Sequence, residues 1–501
     1  MSGSPPGGGP QLIVYADRFA GDLARLRDLL AGPLAGAFTG VHVLPFYVPI
    51  DGADAGFDPT DHLAVDPRIG GWDDIAAIAT THDVMADIIV NHVSDESTPF
   101  RDWWERGGAS AYDGMFLTFD AVFPDGATEA DLTTVYRPRP GLPLTRVRTG
   151  DGRQRLMWTT FTPHQIDIDV EHERGWAYLT SIVDRLATAG VTFVRLDAVG
   201  YAIKRAGTSC FMLPETFEFV DRLAAALREV GITVLVEVHG HHLMQLDIAR
   251  RVDLVYDFAL PPLVLDALYR GDSGPLRRWF EIRPTNAVNV LDTHDGIGVI
   301  DVGADPTHPE RPGLLEPDRL SDLVEEIHRR SDGASRKATG AAASNLDLYQ
   351  VNCTYYDALG QDDERYLLAR LVQCLVPGIP QVYYVGLLAG GNDVDLLERT
   401  GVGRDINRHH YDADELHAAL DRPVVRRLLR LLRWRTSHPV LSTAGAAFEV
   451  VDAPPHVLHL RWSAPDGSHV LDAEIDLAEA TFRMVDHGPH GESQVGSFDE
   501  L

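Results

Sequence analysis

The chain has 501 residues, 45% hydrophobic and 24% charged, the balance of an ordinary soluble globular protein with room for more than one domain. A formal charge of -30 works against nucleic acid and anionic lipid as partners, since both need clustered Lys and Arg, and leaves solubility as its simplest role. Cys210, Cys353 and Cys374 form no Cys-x-x-Cys pair, which excludes a disulfide framework or a cysteine zinc site and fits a reducing cytoplasm. No apolar run reaches the roughly 18 residues that span a bilayer, and the first ten residues lack the basic flank and apolar stretch of a secretion signal, so neither membrane nor export is expected.

The Gly/Pro/Ser-rich residues 1–10 cannot bury anything and predict a disordered tail. Strand-like runs then alternate with helical patterns, the sign of a parallel α/β fold. Eight runs qualify as strands, at 12–17, 41–45, 85–92, 192–197, 232–237, 254–259, 287–295 and 381–385, most rich in β-branched residues as strands buried on both faces should be. Between them lie amphipathic segments such as 216–230, with apolar residues three and four apart. Eight strands with helices between them predict a (β/α)₈ TIM barrel over 11–92 and 168–437. The gap at 93–167 is too long for a crossover and predicts an inserted domain after the third strand. A second excursion, about 299–360, follows the seventh strand, and alternation beyond residue 438 predicts a C-terminal β domain over 438–501.

Three acids close strand-like runs: Asp197, Glu237 and Asp295. In such a barrel the carboxyl ends of the strands share one mouth, where the chemistry of these folds takes place. Three carboxylates gathered there suit glycosyl transfer. Arg195 lies two residues before Asp197 and so on the same strand face, where a cation keeps the acid ionised, as a nucleophile at an anomeric carbon requires. A structural ion pair would look the same in isolation. Glu237 ends an apolar run, where desolvation favours the proton-carrying form that a general acid needs. Asp295 follows His294, a pair suited to gripping adjacent sugar hydroxyls, and glycines after it permit close backbone approach.

Arg-Leu-Asp-Ala (195–198), the strand-terminal Glu237, His-Asp (294–295) and Asp-Ile-Ile-Val-Asn-His (87–92) together resemble the conserved segments of the α-amylase superfamily of retaining glycosidases and transglycosidases. Phe57–His62, Tyr136–Pro143, Ala206–Met212, Val255–Pro262, Leu291–Asp301, Ala341–Gln350 and Gly403–His409 resemble its disaccharide phosphorylase branch, a likeness running from about 11 to 435. The resemblance implies Asp197 as nucleophile, Glu237 as general acid/base and Asp295 as transition-state stabiliser. It further implies that Asp54, His92, Arg195, His294 and Arg404 hold the glucosyl unit and that Phe57 and Phe161 wall it. Tyr201 is counted among the substrate-binding residues, and Asp347 and Gln350 are suited to the hydroxyls of a fructosyl group.

An acidic protein with three carboxylates in its pocket repels phosphate, so phosphorolysis needs cations on the acceptor side. Arg137 and Arg139 sit in a proline-stiffened loop and carry forks that suit a phosphate, and Tyr349 offers a hydroxyl donor. A solvated surface loop is the competing account of both arginines. The substrates implied are sucrose and inorganic phosphate, with fructose and glucose 1-phosphate as products. Phosphorolysis of glucosylglycerol, glucosylglycerate or sucrose 6'-phosphate, hydrolysis or isomerisation of a glucoside, and an inactive barrel serving as a binding subunit remain as alternatives. No metal or organic cofactor is expected, His239, His241 and His242 being read as exposed loop residues. A homodimer is implied by resemblance alone.

Overall fold

The computed structural model describes residues 8–52, 54–137, 141–305, 308, 310–339, 350–489 and 491–501. Eight strands, β1 (Gln11–Val14), β2 (Gly40–Val43), β3 (Asp83–Ile89), β4 (Phe193–Asp197), β5 (Thr233–Val236), β6 (Leu254–Asp257), β7 (Ala287–Asn289) and β8 (Ile379–Tyr383), close into one barrel in chain order. Parallel ladders join β1 to β8, β3 to β4, β4 to β5, β6 to β7 and β7 to β8. Val, Ile and Leu fill these strands because both faces are covered, the inner by the barrel's own side chains and the outer by helices. The helices α1 (Glu173–Thr188) and α2 (Pro214–Glu229) flank β4, and α2 starts on a proline whose missing N–H costs nothing there. The (β/α)₈ fold expected from the sequence is the one observed.

Several strand ends differ from the sequence reading: β1 stops at Val14 instead of 17, β3 at Ile89 instead of 92, and β7 and β8 differ too. β7 stops at Asn289, so Asp295 sits six residues beyond it on a loop. Side chains take over there: the Asn289 amide donates to the carbonyls of Val376 and Pro377 at 3.2 and 3.1 Å, and Arg370 holds Asp292 at 2.5 Å. β8 runs 379–383 instead of 381–385, because Tyr384–Leu387 turns helical.

By compactness the chain divides into two units. One comprises Asp22–Ala24 and Val43–Val238, with β3, β4, β5 and the segment between β3 and β4. In that segment His92–Ser94 pairs antiparallel with Gln165–Asp167, and Leu144–Arg148 pairs with Gln154–Trp158. Its Leu117, Val122, Phe123, Val135 and Trp158 form a small core that Cys210, from the loop after β4, completes, so this cysteine is a packing residue.

The other unit comprises the described residues to Gly21, Arg25–His42 and His239–Leu501. Here a five-stranded antiparallel meander, β9 (Ala447–Val451), β10 (Val457–Ser463), β11 (Val470–Asp476), β12 (Thr481–Gly488) and β13 (Gly491–Val495), follows the long helices α3 (Asp363–Leu375) and α4 (Pro423–Ser437). Alternating Leu458, Leu460 and Trp462 face inward, and the Trp462 indole donates to the Leu375 carbonyl at 2.6 Å. Residues 8–10 of the expected tail 1–10 are packed in place: Gly9 and Pro10 are buried, Arg435 donates to the Gly8 carbonyl at 3.0 Å and the Thr39 amide to the Pro10 carbonyl at 2.8 Å, while residues 1–7 lie outside the described residues. Among the described residues no helix is long and apolar enough to cross a membrane.

His62, fully buried with its Nδ1 2.6 Å from the Tyr178 hydroxyl, is pushed from 6.5 to about 3, chiefly by burial and then by His92. Since folding lowers its affinity for a proton, the unfolded chain protonates first: stability is full above pH 6.5 and falls as pH drops toward about 3. At pH 5 this one imidazole costs about 2 kcal/mol, so urea midpoints of a His62→Gln variant should decline less between pH 7 and pH 5 than those of the parent. Parallel declines would remove His62 as the source.

Candidate active site

Arg195 organises the first cluster of expected site residues. Residues two apart on a strand share a face, so Arg195 and Asp197 project together from β4. The ladder puts Arg195 directly beside Asp87 on β3, and the two side chains meet at 2.5 Å, Nη1 to Oδ1. The other fork nitrogen, Nη2, reaches Asp197 Oδ1 at 3.2 Å and Glu237 Oε2 at 2.6 Å. A guanidinium has five donors in a rigid plane, which is what lets one residue hold three carboxylates. Its side chain is only 2% exposed. Glu237 therefore sits in an ion pair, contrary to the purely apolar setting that its strand suggested. Asp87, noted in the sequence only as the first residue of the 87–92 segment, was given no role of its own there.

Beside this fork lies an aromatic wall. The Arg195 guanidinium stands 5.4 Å from the Phe57 ring centre. His92 donates from Nε2 to the Phe57 carbonyl at 2.9 Å, and its ring lies 5.3 Å from Phe161. Burial pushes His92 below its usual range despite Asp167 nearby, so it is neutral at pH 7 and its Nε2 carries the hydrogen. Phe161 meets Tyr201 edge-on at 5.1 Å, and Tyr201 packs against Phe211 at 4.8 Å and Tyr136 at 6.2 Å. Asp54 accepts from Gln165 at 3.4 Å. The expected Asp54, Phe57, His92, Phe161 and Tyr201 thus belong to one neighbourhood. Gln165, Phe211 and Tyr136 were missed as contributors.

Lys204 was missed too. Its ammonium, buried, meets Asp167 at 2.5 Å and donates to Asn91 at 2.8 Å and to the Tyr201 carbonyl, tying the loop after β4 to the segment after β3. Ala198, next to Asp197, has φ of 56°, a left-handed conformation that a non-glycine residue holds only when its surroundings fix it.

In the other unit, Asp295 is gripped from several directions. Arg404 Nη1 is 2.8 Å from its Oδ1, Arg408 Nη2 3.9 Å from the same oxygen, and His294 Nε2 3.6 Å from Oδ2. The Thr293 hydroxyl accepts from the Asp295 amide at 3.1 Å, and Asn407 donates to its carbonyl at 2.7 Å. Arg408 also donates to the His294 carbonyl at 2.9 Å, and Tyr15 meets the His294 ring edge-on at 6.1 Å. Gly296 allows the close approach expected: a Cβ there would come within 2.8 Å of the Val351 carbonyl. Arg404 and His294 stand where expected beside Asp295; Arg408 and Asn407 are additions.

The nearby histidines are not the exposed residues expected. His239 stacks on Phe258 at 3.9 Å, with Nδ1 3.1 Å from Asp301 and Nε2 3.2 Å from the Gln350 amide nitrogen. His241 caps the helix His242–Ala249 and meets the Pro312 carbonyl at 3.0 Å. His242 is pushed down to about 4 by burial. Packing against loop carbonyls and aromatic faces absorbs all three.

Arg137 is half-buried and donates to the Gly141 carbonyl at 2.7 Å, lining with Phe161, Thr145 and Thr159 a cavity of about 120 Å³. Arg139, Asp347 and Tyr349 lie outside the described residues.

The α-amylase catalytic domain family model matches residues 34–269. The chain is 58% identical over 455 residues to a sucrose phosphorylase of Agrobacterium vitis, covering 90% of this chain and 92% of the relative. To the sucrose phosphorylase of Bifidobacterium adolescentis it is 54% identical over 426 residues, covering 85% and 84%. A crystal structure of sucrose 6F-phosphate phosphorylase from Thermoanaerobacter thermosaccharolyticum superposes with a TM-score of 0.90 at 35% identity, covering 98% of each chain.

Removing one partner of a buried pair strands the other charge. Lys204→Met should therefore lower unfolding stability by about 3–5 kcal/mol in urea titration, and adding Asp167→Asn should recover part of the loss. A loss under about 1 kcal/mol would show that water reaches the pair.

Proposed function

Because the chain belongs to the sucrose phosphorylases of the α-amylase superfamily, we propose that it passes the glucosyl unit of sucrose reversibly to inorganic phosphate, giving α-glucose 1-phosphate and fructose. It is a glycosyltransferase of the phosphorylase type. The observation that carries the reading is the shared Nη2 of Arg195. Held at 2.6 and 3.2 Å from one nitrogen, the Glu237 and Asp197 oxygens are separated by at most about 5.8 Å. Retaining enzymes keep their two carboxyls about 5–5.5 Å apart and inverting enzymes about 6.5–9.5 Å, so this limit favours double displacement.

Glu237 gives its proton to the glycosidic oxygen as an Asp197 oxygen attacks the anomeric carbon; the bond to fructose breaks and a β-glucosyl ester forms. Phosphate then attacks the same carbon, the ester bond breaks, and any proton left on the attacking oxygen passes to Glu237. Asp295, with His294 and Arg404, is assigned to the positive sugar ring of the transition state. Asp54, His92, Phe57, Phe161 and Tyr201 are assigned to the glucosyl unit, and Asp347 and Gln350 to fructose. Arg137, Arg139 and Tyr349 are assigned to phosphate, which is a co-substrate; the steps need no metal or organic cofactor. Three free, buried cysteines fit a cytoplasmic enzyme. A homodimer through the 93–167 segment belongs to the same reading.

Proton NMR of the protein with sucrose should show fructose and α-glucose 1-phosphate accumulating only when phosphate is present. Fructose and glucose released equally without phosphate would make it a hydrolase, and no turnover would point to glucosylglycerol or glucosylglycerate. Asp197→Asn should lower kcat by about 10⁴-fold or more. Arg195→Lys keeps the charge but loses the fork, and should lower kcat by about 100-fold; near-normal turnover in either variant would displace that residue from its role.

A further inference from the structure

Far along the chain from the catalytic acids, three side chains of the C-terminal region converge. His438 follows α4, His469 precedes β11, and Asp486 lies on β12. Asp486 is the ladder partner of Leu471, and His469, two residues before Leu471, projects from the same face of the sheet. His469 Nε2 is 2.5 Å from Asp486 Oδ1, His438 Nε2 is 3.4 Å from Asp486 Oδ2, and the two rings are 5.3 Å apart. One donor atom from each of the three falls within 4.8 Å of the others.

His438 is the unusual member. It is 95% buried, yet neither ring nitrogen forms a directed hydrogen bond, although Nε2 points toward Asp486 and His469. A buried imidazole with no well-aligned hydrogen bond is uncommon, because its desolvation goes largely uncompensated.

We propose that His438, His469 and Asp486 form a structural site for a late first-row divalent cation, zinc above all, which fastens the end of α4 to the C-terminal sheet. Two imidazoles and one carboxylate are the donor set of zinc, whereas magnesium and calcium take oxygen. Bonds of about 2.0–2.1 Å in a tetrahedron separate donor atoms by about 3.3 Å. The two imidazoles stand 3.4 and 2.5 Å from different Asp486 oxygens, and the three donor atoms, within 4.8 Å of one another, must shift by up to about 1.5 Å to meet that spacing. On binding, the His469 proton moves from Nε2 to Nδ1. The Asp486 side chain is 29% exposed, leaving an entry path and a place for water as fourth ligand. Arg435, buried on α4, opposes a dication, and Asp486 offsets it.

The untagged, chelator-treated full chain is titrated with Co²⁺, whose visible absorption reports tetrahedral nitrogen and oxygen ligands, and then with Zn²⁺ in competition. One equivalent should bind, and Zn²⁺ should raise the thermal midpoint. Asp486→Asn and His469→Gln, both partly exposed and outside the catalytic machinery, should each weaken binding at least about 10-fold and abolish the thermal shift. No tetrahedral band in the parent, or a band unchanged in both variants, would overturn the proposal.

Discussion

The guanidinium of Arg195 is the constraint on which this catalytic region depends. It sits almost without solvent contact among Asp87, Asp197 and Glu237, so its desolvation must be offset by contacts that use both ends of the fork. The barrel supplies those contacts through register: β3 and β4 run parallel with Asp87 beside Arg195, and Glu237 follows the next strand. A one-residue slip of β4 would turn Arg195 and Asp197 to the other face and leave Asp87 unpaired. Register, buried charge and the spacing of two working carboxyls are here one requirement.

The surrounding residues stiffen that arrangement. Lys204 and Asp167 fasten the loop behind Asp197, and the chain of Phe57, His92, Phe161, Tyr201 and Phe211 builds a wall from aromatic faces and a neutral imidazole. A neutral His92 offers a hydrogen-bond donor without adding a charge to a field that Arg195 already controls. Around Asp295 the same strategy recurs, with Arg404 and Arg408 approaching one carboxylate oxygen and the backbone pinned by Thr293 and Asn407. For a chain of net charge -30, these local cations decide what an anion meets, since screening confines the long-range field to about 8 Å.

Much of this was legible in the sequence because a parallel barrel writes its strands as short β-branched runs buried on both faces. Arg195 and Asp197 were readable as a pair because strand geometry has a period of two. Asp295 was placed at a strand end when it lies on a loop: Val288, Val290 and Leu291 continue an apolar pattern that side-chain hydrogen bonds of Asn289 and Asp292 interrupt. The histidines after β5 looked like solvated loop residues, since nothing local announces the Phe258 ring or the Pro312 carbonyl that covers them.

What the sequence by itself determined was the set of elements, the alternation along each strand and the acids that close the strand-like runs, all properties of neighbours within a few residues. Only the tertiary structure decided that Glu237 shares Arg195 with Asp197, that Lys204 answers Asp167, and that His438 meets His469 and Asp486. Those pairings join side chains from separate elements. Their existence depends on strand register and packing depth, quantities that a linear pattern of apolar and polar residues does not contain.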